Sequence, residues 1–197
     1  MRDSVSQSDI LQLVIRSSLE NAERFLNDAV LLTNNSSFGH AIAFTLLALE
    51  ETGKAIYCNW AKNNFVKVDD DFFKNLRNHK TKQRVIKEIE KLIILKTEIN
   101  NYRKNKKRRK VPFKSLPEFD FFLTKLEESS QFKSVDAFYG ELEKTKQLAL
   151  YVDIDEDGIP SDPSTFTKDI CDKYLRFVQT IFRYAKDGLL PKTKSKD

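Results

Sequence analysis

The stretch from Phe38 to Ala55, FGHAIAFTLLALEETGKA, constrains this chain more than any other. Ala41, Phe44, Thr45, Ala48, Leu49 and Thr52 recur three and four residues apart, so one face of a helix here is apolar and packs inward. Beside that face stand Glu50, Glu51 and Lys54. Charges next to a core are costly unless they are partnered. On a helix Lys54 reaches Glu50 four residues back and Glu51 three residues back, so the lysine can pair with either acid. A helix of this kind predicts either a buried polar site or an ion-pair arrangement that fixes its neighbours.

The chain has 197 residues and 40% hydrophobic content, enough for one compact domain with a sizeable core. Only five glycines and five prolines, set against many Leu, Ile, Phe and charged residues, favour helices over sheet. Ser8 or Asp9 is placed to cap a first helix with Leu13, Ile15, Leu19, Ala22, Phe25, Leu26 and Ala29 inward, ending near Leu32. Thr33 to Ser37 reads as a turn, and the second helix extends from Phe38 to about Asn63, with Cys58 as a small packing residue. Asp69, Asp70 and Asp71 open a short helix carrying Phe72, Phe73 and Leu76. A third long helix over Lys80–Asn101 places Val85, Ile86, Ile89, Leu92, Ile93 and Leu95 inward. Further helices are predicted from Pro117 to Ser129, from Ser134 to Leu150, and from Pro163 onward, the last with Phe166, Ile170, Tyr174, Phe177, Ile181 and Tyr184 inward. The expectation is an all-α antiparallel helical bundle with extra short helices, a single helical domain over residues 1–190 followed by a frayed polar tail at 191–197.

No apolar run approaches the roughly 18 residues that a membrane span needs. The segment from Met1 to Asp9 is polar, unlike a secretory signal, and Cys58 and Cys171 are too few for a disulfide framework. A cytoplasmic protein is expected. The net charge of +5 is concentrated in one place: Arg103, Lys104, Lys106, Lys107, Arg108, Arg109 and Lys110 lie within eight residues. Removing those seven from +5 leaves about −2 for the rest. Such a run is either a solvated connector or a phosphate-binding patch; Tyr102 and Phe113 flank it rather than interleave.

Three islands together carry a family resemblance. They are Gly39-His40 through Leu49-Glu-Glu-Thr-Gly-Lys-Ala55; Phe72-Phe-Lys-Asn-Leu-Arg-Asn-His-Lys-Thr-Lys82; and Leu148-Ala-Leu-Tyr-Val-Asp153 before a loop and Pro163. In this order the chain resembles the AbiV family of abortive-infection proteins, which belong to the HEPN group of small helical bundles. The resemblance implies a HEPN-like bundle acting in phage defence as a toxin-like protein that halts infection, and a homodimer; a phage protein is the candidate trigger. Many HEPN domains are metal-independent ribonucleases with an arginine, a polar residue and a histidine four to six positions after the arginine. Here Arg77-Asn78-His79 compresses that spacing to two, and His40 has no arginine in the window upstream. That departure leaves two alternatives: no ribonuclease activity, or a site rebuilt from several helices.

His40 and His79 are the only histidines. Metal-independent RNA cleavage needs a group that takes the ribose 2′-hydroxyl proton, another that protonates the leaving oxygen, and a cation for the charged phosphorane. His79 suits acid–base work; Arg77 or Lys80 is placed to hold the phosphate, and Lys54 with Glu51 to orient it. The competing structural reading makes His79 a helix cap and Glu50, Glu51 and Lys54 a buried ion-pair group, with His40 a capping residue. A metal bound by Glu50, Glu51 and His79 lacks the paired Glu-x-x-His motifs of di-iron bundles, and Lys54 competes with the cation. Asp153-Ile-Asp-Glu-Asp-Gly158 resembles the start of a calcium loop, but Ser164 stands where the closing glutamate is needed. No metal or other cofactor is expected. Two functions follow: an abortive-infection effector that blocks translation or phage growth, acting on RNA as an endoribonuclease, or a non-catalytic module that binds a phage protein or sequesters a translation component.

Overall fold

A computed structural model of the chain describes residues 6–105, 113, 115–154 and 160–189. Within them seven helices account for nearly all regular structure: α1 (Gln7–Asn34), α2 (Phe38–Lys62), α3 (Asp70–Arg77), α4 (His79–Asn105), α5 (Leu116–Glu127), α6 (Ser130–Leu150) and α7 (Lys168–Leu189). Asp153–Ile154 pairs antiparallel with Pro160–Ser161, and Pro163–Thr165 forms one turn of 3-10 helix. The all-α class holds. The run Lys106, Lys107, Arg108, Arg109 and Lys110, the acidic loop positions 155–159 and the polar tail 191–197 lie outside the described residues.

Contacts divide the chain into two compact units, one running to Ile86 and resuming at Leu142, the other spanning Lys87–Glu141. In the first unit α1, α2 and α7 share the main core. Ile15, Leu19, Ala22 and Ala29 of α1 are buried with Ala41, Ile42, Leu49 and Cys58 of α2 and Cys171 and Val178 of α7. Burial pushes the Cys58 thiol up to about 12, which suits an inert packing residue. The turn between α1 and α2 uses Ser36 in the left-handed region (φ 60). Gly39 then lets α2 start against the 3-10 turn: a Cβ there would lie 2.5 Å from the Pro163 carbonyl oxygen. In α3, Asp69 caps by accepting from Phe72 N–H at 3.0 Å, and Phe72 is buried against Tyr57 of α2 with ring centroids 5.1 Å apart. That stacking pins the short helix, and with it the chain leading to His79.

In the second unit Tyr102, Phe113, Phe119 and Phe122 pack together at centroid distances of 5.0–5.4 Å. Tyr102 and Phe113, which flank the basic run in sequence, stack on one another. Lys87 and Lys91 close on Asp136 at 2.6 and 2.9 Å.

Several sequence expectations are corrected. Ser6, not Ser8 or Asp9, caps α1, accepting from Asp9 N–H. Leu13 and Leu92 are exposed rather than inward. The helix expected to open at Ser134 begins at Ser130, and Pro163 opens a single 3-10 turn, α7 starting at Lys168. On α7 the inward face is Cys171, Leu175, Val178, Ile181, Phe182 and Ala185, leaving Ile170 and Tyr184 exposed. Two apolar stripes lie side by side on this helix, and the periodicity alone does not say which one meets α1 and α2.

Candidate functional site

Glu50 is the centre of the polar cluster. It lies on the buried side of α2 with 3% of its side chain exposed. α4 reaches it because Asn78 ends α3 and caps α4, its Oδ1 accepting from Thr81 N–H at 3.2 Å. The polar residue between Arg77 and His79 is therefore a helix cap, a role the structural reading had given to His79. The two helices approach closely at Gly53, where a Cβ would meet the Lys82 carbonyl oxygen at 2.5 Å. This contact sets the first turns of α4 over Glu50.

Four side chains converge on that carboxylate. His79 Nδ1 bonds to Glu50 Oε2. Lys82 Nζ stands 3.9 Å from the same oxygen. Glu50 Oε1 accepts from Lys146 Nζ at 2.8 Å and from Gln83 Nε2 at 3.3 Å. Lys146 also pairs with Glu143 at 2.8 Å. Burial pulls the Lys82 ammonium below its ordinary value, against the attraction of Glu50 and Glu51. Burial acts on Lys146 in the same direction, but its bonds to Glu143 and Glu50 outweigh it, so Lys146 lies above the ordinary lysine value. Glu143 is held below the ordinary carboxylate value, since the bonds from Lys146 and Gln147 outweigh its burial.

A carboxylate only accepts, so the Nδ1 of His79 carries the hydrogen and Nε2 is left as the basic nitrogen. The imidazole is 54% exposed, so one edge is fixed by a buried anion and the rest meets solvent. This is the arrangement of an oriented general base.

The structure sends the residues singled out in the sequence to different places. His79 joins the Glu50 cluster. Glu51 and Lys54 pair with each other at 2.7 Å on the neighbouring part of α2, so the lysine takes the acid three residues back and leaves Glu50 to α4 and α6. Arg77 and Lys80 flank His79 at the α3–α4 junction, both exposed and without an ion pair among the described residues. His40 is exposed at the start of α2 and bonds Ser37 Oγ through Nδ1 at 3.0 Å. Arg103 and Lys104 form the last turn of α4 in the second unit.

Lys82, Gln83 and Lys146 were not singled out, and the two lysines left a signal. Val135, Tyr139, Leu142, Lys146 and Ala149 form one buried stripe along α6. A lysine within an apolar stripe requires an anion facing it. Lys82 closes the His79-Lys-Thr-Lys segment of the second island.

A family model described as AbiV, of the HEPN group, matches residues 11–183. Neither the curated proteins nor the solved structures yield a match. Among the described residues, no helix is long and apolar enough to cross a membrane. The match takes in all seven helices at least in part, and every member of the Glu50 cluster: this chain belongs to the AbiV family of HEPN-like abortive-infection proteins.

Proposed function

We propose that this abortive-infection protein halts phage growth by cutting RNA without a metal, and so blocks translation. The observation that carries the reading is the half-exposed imidazole of His79 held through Nδ1 by the buried carboxylate of Glu50. His79 Nε2 takes the 2′-hydroxyl proton; the freed oxygen attacks phosphorus and the 5′-oxygen departs, leaving a 2′,3′-cyclic phosphate. Arg77 and Lys80, exposed on either side, hold the phosphate and balance the phosphorane charge. The basic run from Arg103 to Lys110 adds sequence-independent attraction for the backbone.

One imidazole accounts for one proton transfer, and the cleavage has two. His40 does not supply the second, because ten residues of α2 separate it from Glu50, about 15 Å along the axis. A homodimer does, by bringing a second His79 to protonate the leaving oxygen.

His79→Ala is expected to lower cleavage of total RNA in EDTA by at least about 100-fold. Its thermal midpoint should move by only a few degrees, since Glu50 keeps Lys82, Gln83 and Lys146. Sequencing the new ends reads the product, and unfolding curves read the stability. Intact RNA from both wild type and variant defeats the nuclease reading. It would leave the binding module, in which a phage protein or a translation component is the partner.

A further inference from the structure

His79 faces a set of charges that balances without it. From α2 come Glu50 and the Glu51–Lys54 pair; from α4, Lys82; from α6, Glu143 and Lys146. These are three carboxylates against three ammonium groups, with Arg77 and Lys80 exposed beside them. Lys146 is the best buried of the ammoniums, 5% exposed, and the proposed proton transfer makes no use of it. It is 2.8 Å from Glu50 Oε1 and 2.8 Å from Glu143 Oε2, whereas the imidazole takes Glu50 Oε2.

A buried carboxylate with an imidazole as its sole partner would hold a proton on the ring, because the imidazolium would be its nearest compensation. Such a histidine is a poor base. Here a permanent cation already compensates Glu50 through the other oxygen, and the neutral Gln83 amide adds a donor to that same oxygen without adding charge.

We propose that Lys146 is a positioning residue that tunes His79 through Glu50: it fixes the carboxylate and weakens the carboxylate's hold on the imidazole proton. The inference deepens the nuclease reading and rests on it for its catalytic meaning. It also gives Glu143 the opposite influence, since Glu143 offsets part of the Lys146 charge and adds its own attraction for a cationic ring.

With only two histidines in the chain, a His40→Gln background leaves His79 as the single imidazole in a ¹H–¹³C NMR titration of the full chain. In that background Lys146→Met should raise the midpoint of the His79 titration by about one pH unit or more. Lys146→Arg should restore it, and Glu143→Gln should lower it. A midpoint unmoved by Lys146→Met, or moved in the same direction by the Met and Gln variants, overturns the proposal. Should Lys146→Met not fold, Lys146→Gln decides, since it keeps a polar group in the same place without the charge: a raised midpoint supports the tuning and no change defeats it. RNA cleavage against pH, measured on the same proteins, separates the two ideas. Cleavage with an unresponsive midpoint sinks the tuning alone, and a responsive midpoint without cleavage sinks the nuclease alone.

Discussion

Glu50→Ala should destabilise the protein by about 3–5 kcal/mol, the cost of leaving buried charge without its counter-ion. Lys82 and Lys146 are 7% and 5% exposed; without the carboxylate Lys82 faces a cavity in place of an anion, and Lys146 keeps only Glu143. For a chain of this length the loss corresponds to a fall in Tm on the order of 10 °C. Glu50→Gln keeps the shape and an acceptor for Lys146 but not the charge, and should fall between wild type and alanine. Thermal and denaturant unfolding of the three proteins checks the order. A Glu50→Ala variant within about 1 kcal/mol of wild type would mean that both lysines reach water, and the buried-cluster account would fail. The same variant should lose activity as completely as His79→Ala does, because the imidazole loses the group that sets its tautomer.

The second large effect concerns a residue with no side chain. Gly53→Ala would normally strengthen a helix by up to about 1 kcal/mol. Here the new methyl would meet the Lys82 carbonyl oxygen at 2.5 Å and its carbon at 3.1 Å, both backbone atoms that move only with α4. Overpacking of this kind costs about 1–3 kcal/mol, and the shift carries His79 and Lys82 away from Glu50. Gly140→Ala on α6 is the control, since a Cβ there has nothing within 4 Å. Gly140→Ala should stabilise slightly while Gly53→Ala destabilises and lowers activity. Equal effects at the two glycines would remove the close approach from the explanation.

Much of the fold was legible because its signals are local. The second helix reads from Phe38 to Asn63 in sequence and spans Phe38–Lys62 in the structure. The Asp69 cap and the apolar spacing of α1 are equally direct. The site was only half legible. That Glu50 and Glu51 needed partners followed from their place beside a core face, but the partners lie on α4 and α6, and periodicity along one helix does not identify the facing residue on another. Lys54 illustrates the difficulty: its choice of Glu51 over Glu50 is decided by which acid α4 and α6 already occupy. On α7 both candidate stripes are apolar, so the inward face was misplaced by about one residue, with Ile181 common to both readings.

The 96 positions between Glu50 and Lys146 have a consequence for biosynthesis. The α1–α2 hairpin, with its carboxylate on the inward side, is complete long before the ribosome reaches the lysine that neutralises it. At about 5–20 residues per second the interval is roughly 5–20 s. Throughout it, the nascent chain carries Glu50 without its closest cation. His79 arrives in between, so the imidazole meets the acid before its closest cation is in place, and that cation comes only with α6. A truncated product lacking α6 would have the histidine without its tuned setting.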